Sequence, residues 1–257
     1  MAHEIDYIIH GDDMQAVQIT LDPSEAVHAE AGAMLFIEDD IEMDTSTQGG
    51  LMKGLKRAIV GESFFITTFE NKGSQKRDVT FAAPYPGKII PLDLGTTGTW
   101  LCQKDAYLCS AYGIDISIAF SKKLGAGLFG GEGFILQKLS GDGLAFAHAG
   151  GTILERELTA GETLRVDTGC LVAFQEHVDY DIQFIGGFKN VLFGGEGLFF
   201  ATLRGPGKIF LQTLPFSRLA DRVIAASGIK RGGSQGEQKG VAGLGGDILK
   251  GFLSGRD

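Results

Sequence analysis

The chain has 257 residues and a mass of 27.4 kDa, room for one large all-β domain or two average ones. Hydrophobic residues make up 44%, which excludes wholesale disorder, and the net charge of −9 argues against DNA or RNA as a partner. Glycine, at 39 residues against only 6 prolines and with no period of three, excludes collagen and points to many turns.

The N-terminal stretch 1–15 carries Glu4, Asp6, Asp12 and Asp13 and no basic leader, so no targeting peptide is expected. No run reaches 18 apolar residues, so no span of a bilayer is predicted and a cytoplasmic protein is expected. Cys102, Cys109 and Cys170 form no CxxC pair, which reads as reduced thiols rather than a disulfide framework or zinc site. AVQITLD (16–22) alternates apolar and polar residues, the period of a half-buried strand.

Repeats then dominate the chain. LFGGEGFILQKLSGDGLAF (128–146) and LFGGEGLFFATLRGPGKIF (192–210) agree at ten of 19 positions at an offset of 64. A diverged copy lies upstream in VGESFFITTF (60–69), with YPGKII (85–90) matching GPGKIF (205–210) and an inserted hairpin near 71–84. A second block precedes each glutamate: AGAMLFIEDDIEMD (31–44), DAYLCSAYGIDISI (105–118) and TGCLVAFQEHVDYDI (168–182). Gly32, Asp105 and Gly169 fall at the same turn position in these blocks. The segments after each glutamate are short, rich in Phe, Ile, Leu and Thr and bounded by glycine turns, the signature of buried strands. The expected fold is all-β, with three related sandwich- or barrel-like units at 3–93, 94–157 and 158–216.

FSRLADRVIAAS (216–227) puts Phe216, Leu219, Val223 and Ile224 on one stripe, so an amphipathic helix docked on the β body is predicted over 217–228. Residues 229–257 read as a flexible glycine-rich tail whose Ile248, Leu249, Phe252 and Leu253 form a short apolar face.

The GES/GEG-plus-aromatic strand, the PGK turn and the closing FSRLADR helix resemble a widespread family. It is named after the fungal altered-inheritance-of-mitochondria biogenesis protein, and the resemblance spans about residues 3–226. It implies a repeated fold of the double-stranded β-helix type, similar to the tryptophan RNA-binding attenuation protein. It also implies a homotrimer and a link to membrane organisation.

Three sets of residues are candidates for function. Glu62, Glu132 and Glu196 recur once per unit and would hold a hard cation if they converge, or cap glycine turns by accepting backbone N–H bonds. One carboxylate per repeat favours the capping role. Leu51, Leu55 and Ile59, Leu128 and Phe129, and Leu192 and Phe193 precede those glutamates in apolar, lysine-bearing loops. With Ile248, Leu249 and Phe252 they are candidate contacts for a membrane, a partner protein or the trimer core. His148 and His177 stand alone on strand-like segments, with no metal-ligand spacing. No nucleophile or acid–base set is visible, so a non-enzymatic scaffold without a cofactor is expected, organising a membrane-associated or stress-related assembly. The alternative is a small-molecule or metal-binding module with its ligand between β units.

Overall fold

The computed structural model describes residues 1–30, 32–45, 66–122, 134–185 and 198–227. Contacts divide the chain into Met1–Ala220, which holds every described strand, and Asp221–Asp257. β1 (Asp6–His10) leads into β2 (Ala16–Leu21), β3 (Ala26–Glu30), β4 (Met34–Ile37), β5 (Ile41–Asp44), β6 (Ile66–Asn71) and β7 (Arg77–Ala82). β8 (Gly87–Asp93) and the short helix α1 (Leu94–Thr97) precede β9 (Trp100–Gln103), β10 (Tyr107–Ala111), β11 (Asp115–Lys122), β12 (Phe134–Ser140) and β13 (Leu144–Gly150). β14 (Ile153–Leu158), β15 (Thr163–Asp167), β16 (Leu171–Gln175), β17 (Asp179–Ile185), β18 (Leu198–Arg204) and β19 (Gly207–Gln212) follow, and α2 (Phe216–Ala226) closes the described chain. The fold is therefore all-β with a short C-terminal helix.

The strands form four antiparallel sheets, ordered β1-β2-β7-β4, β5-β6-β3-β10-β13-β8, β11-β12-β9-β16-β19-β14 and β15-β18-β17. One pairing pattern occurs three times. The trios β5-β6-β3, β11-β12-β9 and β17-β18-β15 share one order, as do β4-β7-β2, β10-β13-β8 and β16-β19-β14. Registers agree as well: Leu136 faces Gln103 across β12 and β9, and Phe200 faces Asp167 across β18 and β15, each displaced by 64 residues. A register shift recurs at Leu35, Leu108 and Val172, one bulge in each of β4, β10 and β16. The trios are joined where β3 pairs with β10 and where β9 pairs with β16.

The segment 71–84, expected as an insertion, supplies β7, which pairs with β2 and β4 as β13 pairs with β8 and β10. The residues after Tyr85 enter β8, whose position in the pattern is that of β14 and not of β19. The YPGKII and GPGKIF match therefore joins strands in different positions. Pro-Gly is turn chemistry that suits any strand entered from a tight turn. Both β8 and β14 pair forward, with β13 and β19, across the expected boundaries at 93 and 157.

Alternation along the strands builds two apolar clusters. In the third sheet Trp100, Cys102, Val172, Ala173 and Phe210 join the first cluster, while Leu101, Leu171, Phe174 and Ile209 join the second. Trp100 stacks on Phe210 at 5.2 Å and its indole N–H donates to Thr97 Oγ1, so α1 is tied to the start of β9, inside the third sheet. Phe69, Phe81, Phe134, Phe146 and Phe174 are fully buried, each contributing about 1.5–3 kcal/mol by burial.

Candidate functional site

A cavity of about 180 Å³ opens where β3, β10 and β13 meet the turns beside them. β3 ends on Glu30 and turns through Gly32 and Ala33, while the link from β7 to β8 carries Ala83, Pro84 and Tyr85. A single 3-10 turn between β9 and β10 presents Asp105; β10 adds Tyr107 and Leu108, β13 adds His148, and Phe216 covers one side. Gln103 fixes that turn by accepting from the Asp105 N–H at 2.9 Å. Asp167 does the same for Gly169 at 2.9 Å in the next turn of this kind.

His148 is the distinctive group of this cavity. Its ring meets Tyr85 edge-on with centroids 4.6 Å apart, and Tyr85 in turn packs on Phe216 at 5.3 Å. Only 2% of His148 is exposed, its Nδ1 is buried without a hydrogen-bond partner, and burial lowers its pKa to about 4. The ring is thus neutral at pH 7. Gly87 packs against it so closely that an added Cβ would lie 2.6 Å from Nε2 and collide with the Ala149 carbonyl.

The residue 64 positions on, Gln212, faces Ile153 as His148 faces Ile89. Gln212 is fully used: its Oε1 accepts from the Gly150 N–H and its Nε2 donates to the Gly169 carbonyl, both at 2.8 Å. At the His148 position the counterpart of Gly150 is Pro86, which has no N–H to give. Asp105 stands where Gly169 stands. One junction between trios is therefore sealed by a hydrogen-bonded amide, and the other retains a cavity beside an imidazole whose Nδ1 has no partner.

Electrostatics bound the chemistry of this cavity. Burial pushes the Tyr85 phenol above its ordinary value, and the Asp105 and Glu30 carboxylates add to the shift. Tyr107 is raised too, chiefly by burial; its hydroxyl donates to the His28 carbonyl at 3.2 Å and shares a 3.0 Å bond with Ser110 Oγ. Glu30 is pushed up by burial and then by Asp105, but it stays exposed at the rim, so the shift carries little stability. Burial holds Cys102 up at about 12 and raises Cys109 as well, so neither thiol is a nucleophile at neutral pH. The cavity offers two rim carboxylates, a neutral imidazole and phenol surfaces. That set can make polar contact with a small cationic or hydrogen-bonding molecule.

Glu62, Glu132 and Glu196 lie outside the described residues, as do Leu51, Leu55, Ile59, Leu128, Phe129, Leu192, Phe193, Ile248, Leu249 and Phe252. Among the described residues no three His, Cys, Asp or Glu side chains are grouped to hold a metal. His177 is exposed beside the Gly207 turn, whereas His148 is drawn into the cavity with Gly32 and Asp105. Sequence reasoning missed Tyr85, Tyr107 and Glu30; the signal was the 64-residue offset itself, which sets His148 against Gln212 and Pro86 against Gly150.

Comparison with known proteins matches residues 7–214 to the model of a family described as mitochondrial biogenesis AIM24. An uncharacterised protein of Streptococcus pyogenes serotype M6 is 30% identical over 215 residues, covering 79% of this chain and 83% of its own. The crystal structure of protein SPYM3_0169 from Streptococcus pyogenes superposes with a TM-score of 0.71 at 25% identity, over 87% of this chain and all of that one. Matched along most of its length by family model, relative and solved fold, the chain belongs to the mitochondrial biogenesis AIM24 family.

Proposed function

We propose that this chain is a non-enzymatic scaffold, a trimer of three-unit chains that attaches peripherally to a membrane surface. The observation that carries the reading is the face of α2. Phe216, Val223 and Ile224 are 53%, 61% and 39% exposed, although they form one apolar stripe on an amphipathic helix. Such a helix suits the boundary between lipid headgroups and acyl chains. Among the described residues no helix is long and apolar enough to cross a membrane. The thrice-repeated strand pairing supports the three-unit reading. With a net charge of −9 the attachment is driven by apolar burial, so raised salt should weaken it little. Flotation with lipid vesicles tests this: the full chain floats, and Val223→Asp/Ile224→Asp stays in the soluble fraction with an unchanged melting temperature. A full chain that fails to float with neutral and anionic vesicles alike refutes the attachment.

A second reading, a small-molecule-binding module, is favoured by one observation: the cavity at His148 with its unpartnered Nδ1. Native mass spectrometry and metal analysis of the purified full chain test it. A stoichiometric molecule lost in His148→Phe supports the module, whereas a stoichiometric cation lost in Glu132→Gln/Glu196→Gln points to the glutamates instead. A bare chain in both measurements removes this reading.

A further inference from the structure

β3, β9 and β15 end on equivalent side-chain acceptors, and two of the three are spent on the turn that follows. Gln103 accepts from the Asp105 N–H and Asp167 from the Gly169 N–H, each at 2.9 Å. Glu30 holds the same place, because Ala29 faces Cys109 as Cys102 faces Ala173. Among the described residues its carboxylate accepts no hydrogen bond, and it lines the cavity at His148 instead.

Two further departures from the repeat fall on the same cavity. His148 replaces Gln212, and its Nδ1 keeps no partner where the amide of Gln212 makes two bonds. Asp105 replaces Gly169 and adds a second carboxylate, whose one hydrogen bond among the described residues comes from Gln103 Nε2 at 3.2 Å. We propose that this cavity binds a small organic cation, an ammonium ion on a short apolar body, with Glu30 and Asp105 facing its charge at the rim and Tyr85 and Phe216 flanking its body. The proposal rests on the small-molecule-binding reading and names the ligand class.

Charge selects the class. No Lys or Arg lines the cavity, and His148 is neutral at pH 7. The negative field reaches the walls: after burial, Asp105 and then Glu30 raise the Tyr85 phenol, and Asp105 raises Glu30. Lys104, outside the lining, offsets only part of the rise at Glu30. A guest cation relieves the repulsion between the two carboxylates, whereas an anion would add to it. A bare metal ion is poorly served, since among the described residues no three His, Cys, Asp or Glu side chains are grouped to hold one. An organic cation needs no such cluster, because aromatic faces also attract it, and Tyr85 and Phe216 lie 5.3 Å apart on the wall. The volume of 180 Å³ sets the size. At about 30 Å³ per water it matches about six waters, so the guest has about six to ten non-hydrogen atoms.

An NMR titration of the full chain with probes of matched shape and different charge tests this. Tyramine and butylammonium are the cations, para-ethylphenol and butanol the neutral forms, para-hydroxyphenylacetate and butyrate the anions. The cations should shift the His148 and Tyr85 ring signals and saturate at one molecule per chain, with the neutral and anionic forms about tenfold weaker or more. Glu30→Gln/Asp105→Asn, at exposed positions, should weaken cation binding by about tenfold with an unchanged melting temperature. Glu155→Gln/Glu157→Gln on β14 should leave it intact, which separates the cavity from general attraction to a chain of net charge −9. Equal binding of all three charge forms, cation binding that survives Glu30→Gln/Asp105→Asn, or equal losses in the two double variants overturns the cation class and leaves the small-molecule reading standing. Ring signals that no probe moves overturn both.

Discussion

Acid should destabilise the fold through two buried imidazoles. His148 and His28 are 2% and 3% exposed, and burial lowers each pKa from 6.5 to about 4, with the His3 charge a lesser cause at His28. A histidine whose folded pKa lies below its unfolded value costs nothing above pH 6.5. As pH falls from 6.5 towards 4 the unfolded chain takes up a proton that the folded chain refuses, so stability drops, and the loss levels off below 4. The shift of 2.5 units corresponds to about 3 kcal/mol per histidine, with a slope of up to about 1.4 kcal/mol per pH unit inside the window. Glu30 acts in the opposite sense, since its raised pKa lets the folded chain protonate first. Comparing variants at each pH removes that contribution. Urea unfolding of wild type and His148→Gln between pH 7 and pH 4.5 is the assay. The variant should lose stability less steeply than wild type between pH 6 and 5, by close to one histidine's slope. Parallel curves would refute the claim that a buried, neutral imidazole sits at this position.

Other consequences follow from single contacts. Gln212→Ala should cost about 2–5 kcal/mol in urea unfolding, because it strips partners from the Gly150 N–H and the Gly169 carbonyl at a buried site. Gly87→Ala should lower the melting temperature sharply and disturb the His148 ring signals in NMR spectra, as its Cβ would meet Nε2 at 2.6 Å. Arg218→Ala, which breaks a 2.8 Å surface ion pair with Asp167, should change stability by less than about 1 kcal/mol. Cys170, half-buried, should react with a thiol reagent well before the buried Cys102 and Cys109 in the native protein, read by mass spectrometry over time.

Much of the fold was legible because it rests on local periodicity. The alternation in AVQITL becomes β2, with every second residue buried. The glycine-bounded runs at 134–139 and 198–203 become β12 and β18, each one residue longer, and the blocks starting near Gly32, Asp105 and Gly169 become turns into β4, β10 and β16. The PGK match failed because turn residues recur wherever a strand begins, so they mark turns without marking which turn. The apolar stripe over Phe216–Ala226 correctly gives a helix, but its periodicity does not say whether the stripe is covered. The cavity was illegible for another reason. Glu30, Tyr85, Asp105 and His148 come from four separate parts of the chain, and only strand pairing brings them together. Which strands end a sheet among the described residues is likewise a property of sheet order, which no single segment encodes.

Light scattering of the full-length protein across a wide concentration range tests the scaffold assembly most directly. The expected result is a mass of three chains of 27.4 kDa at every concentration above the assembly threshold. A wild-type mass of 27.4 kDa at every concentration would contradict it.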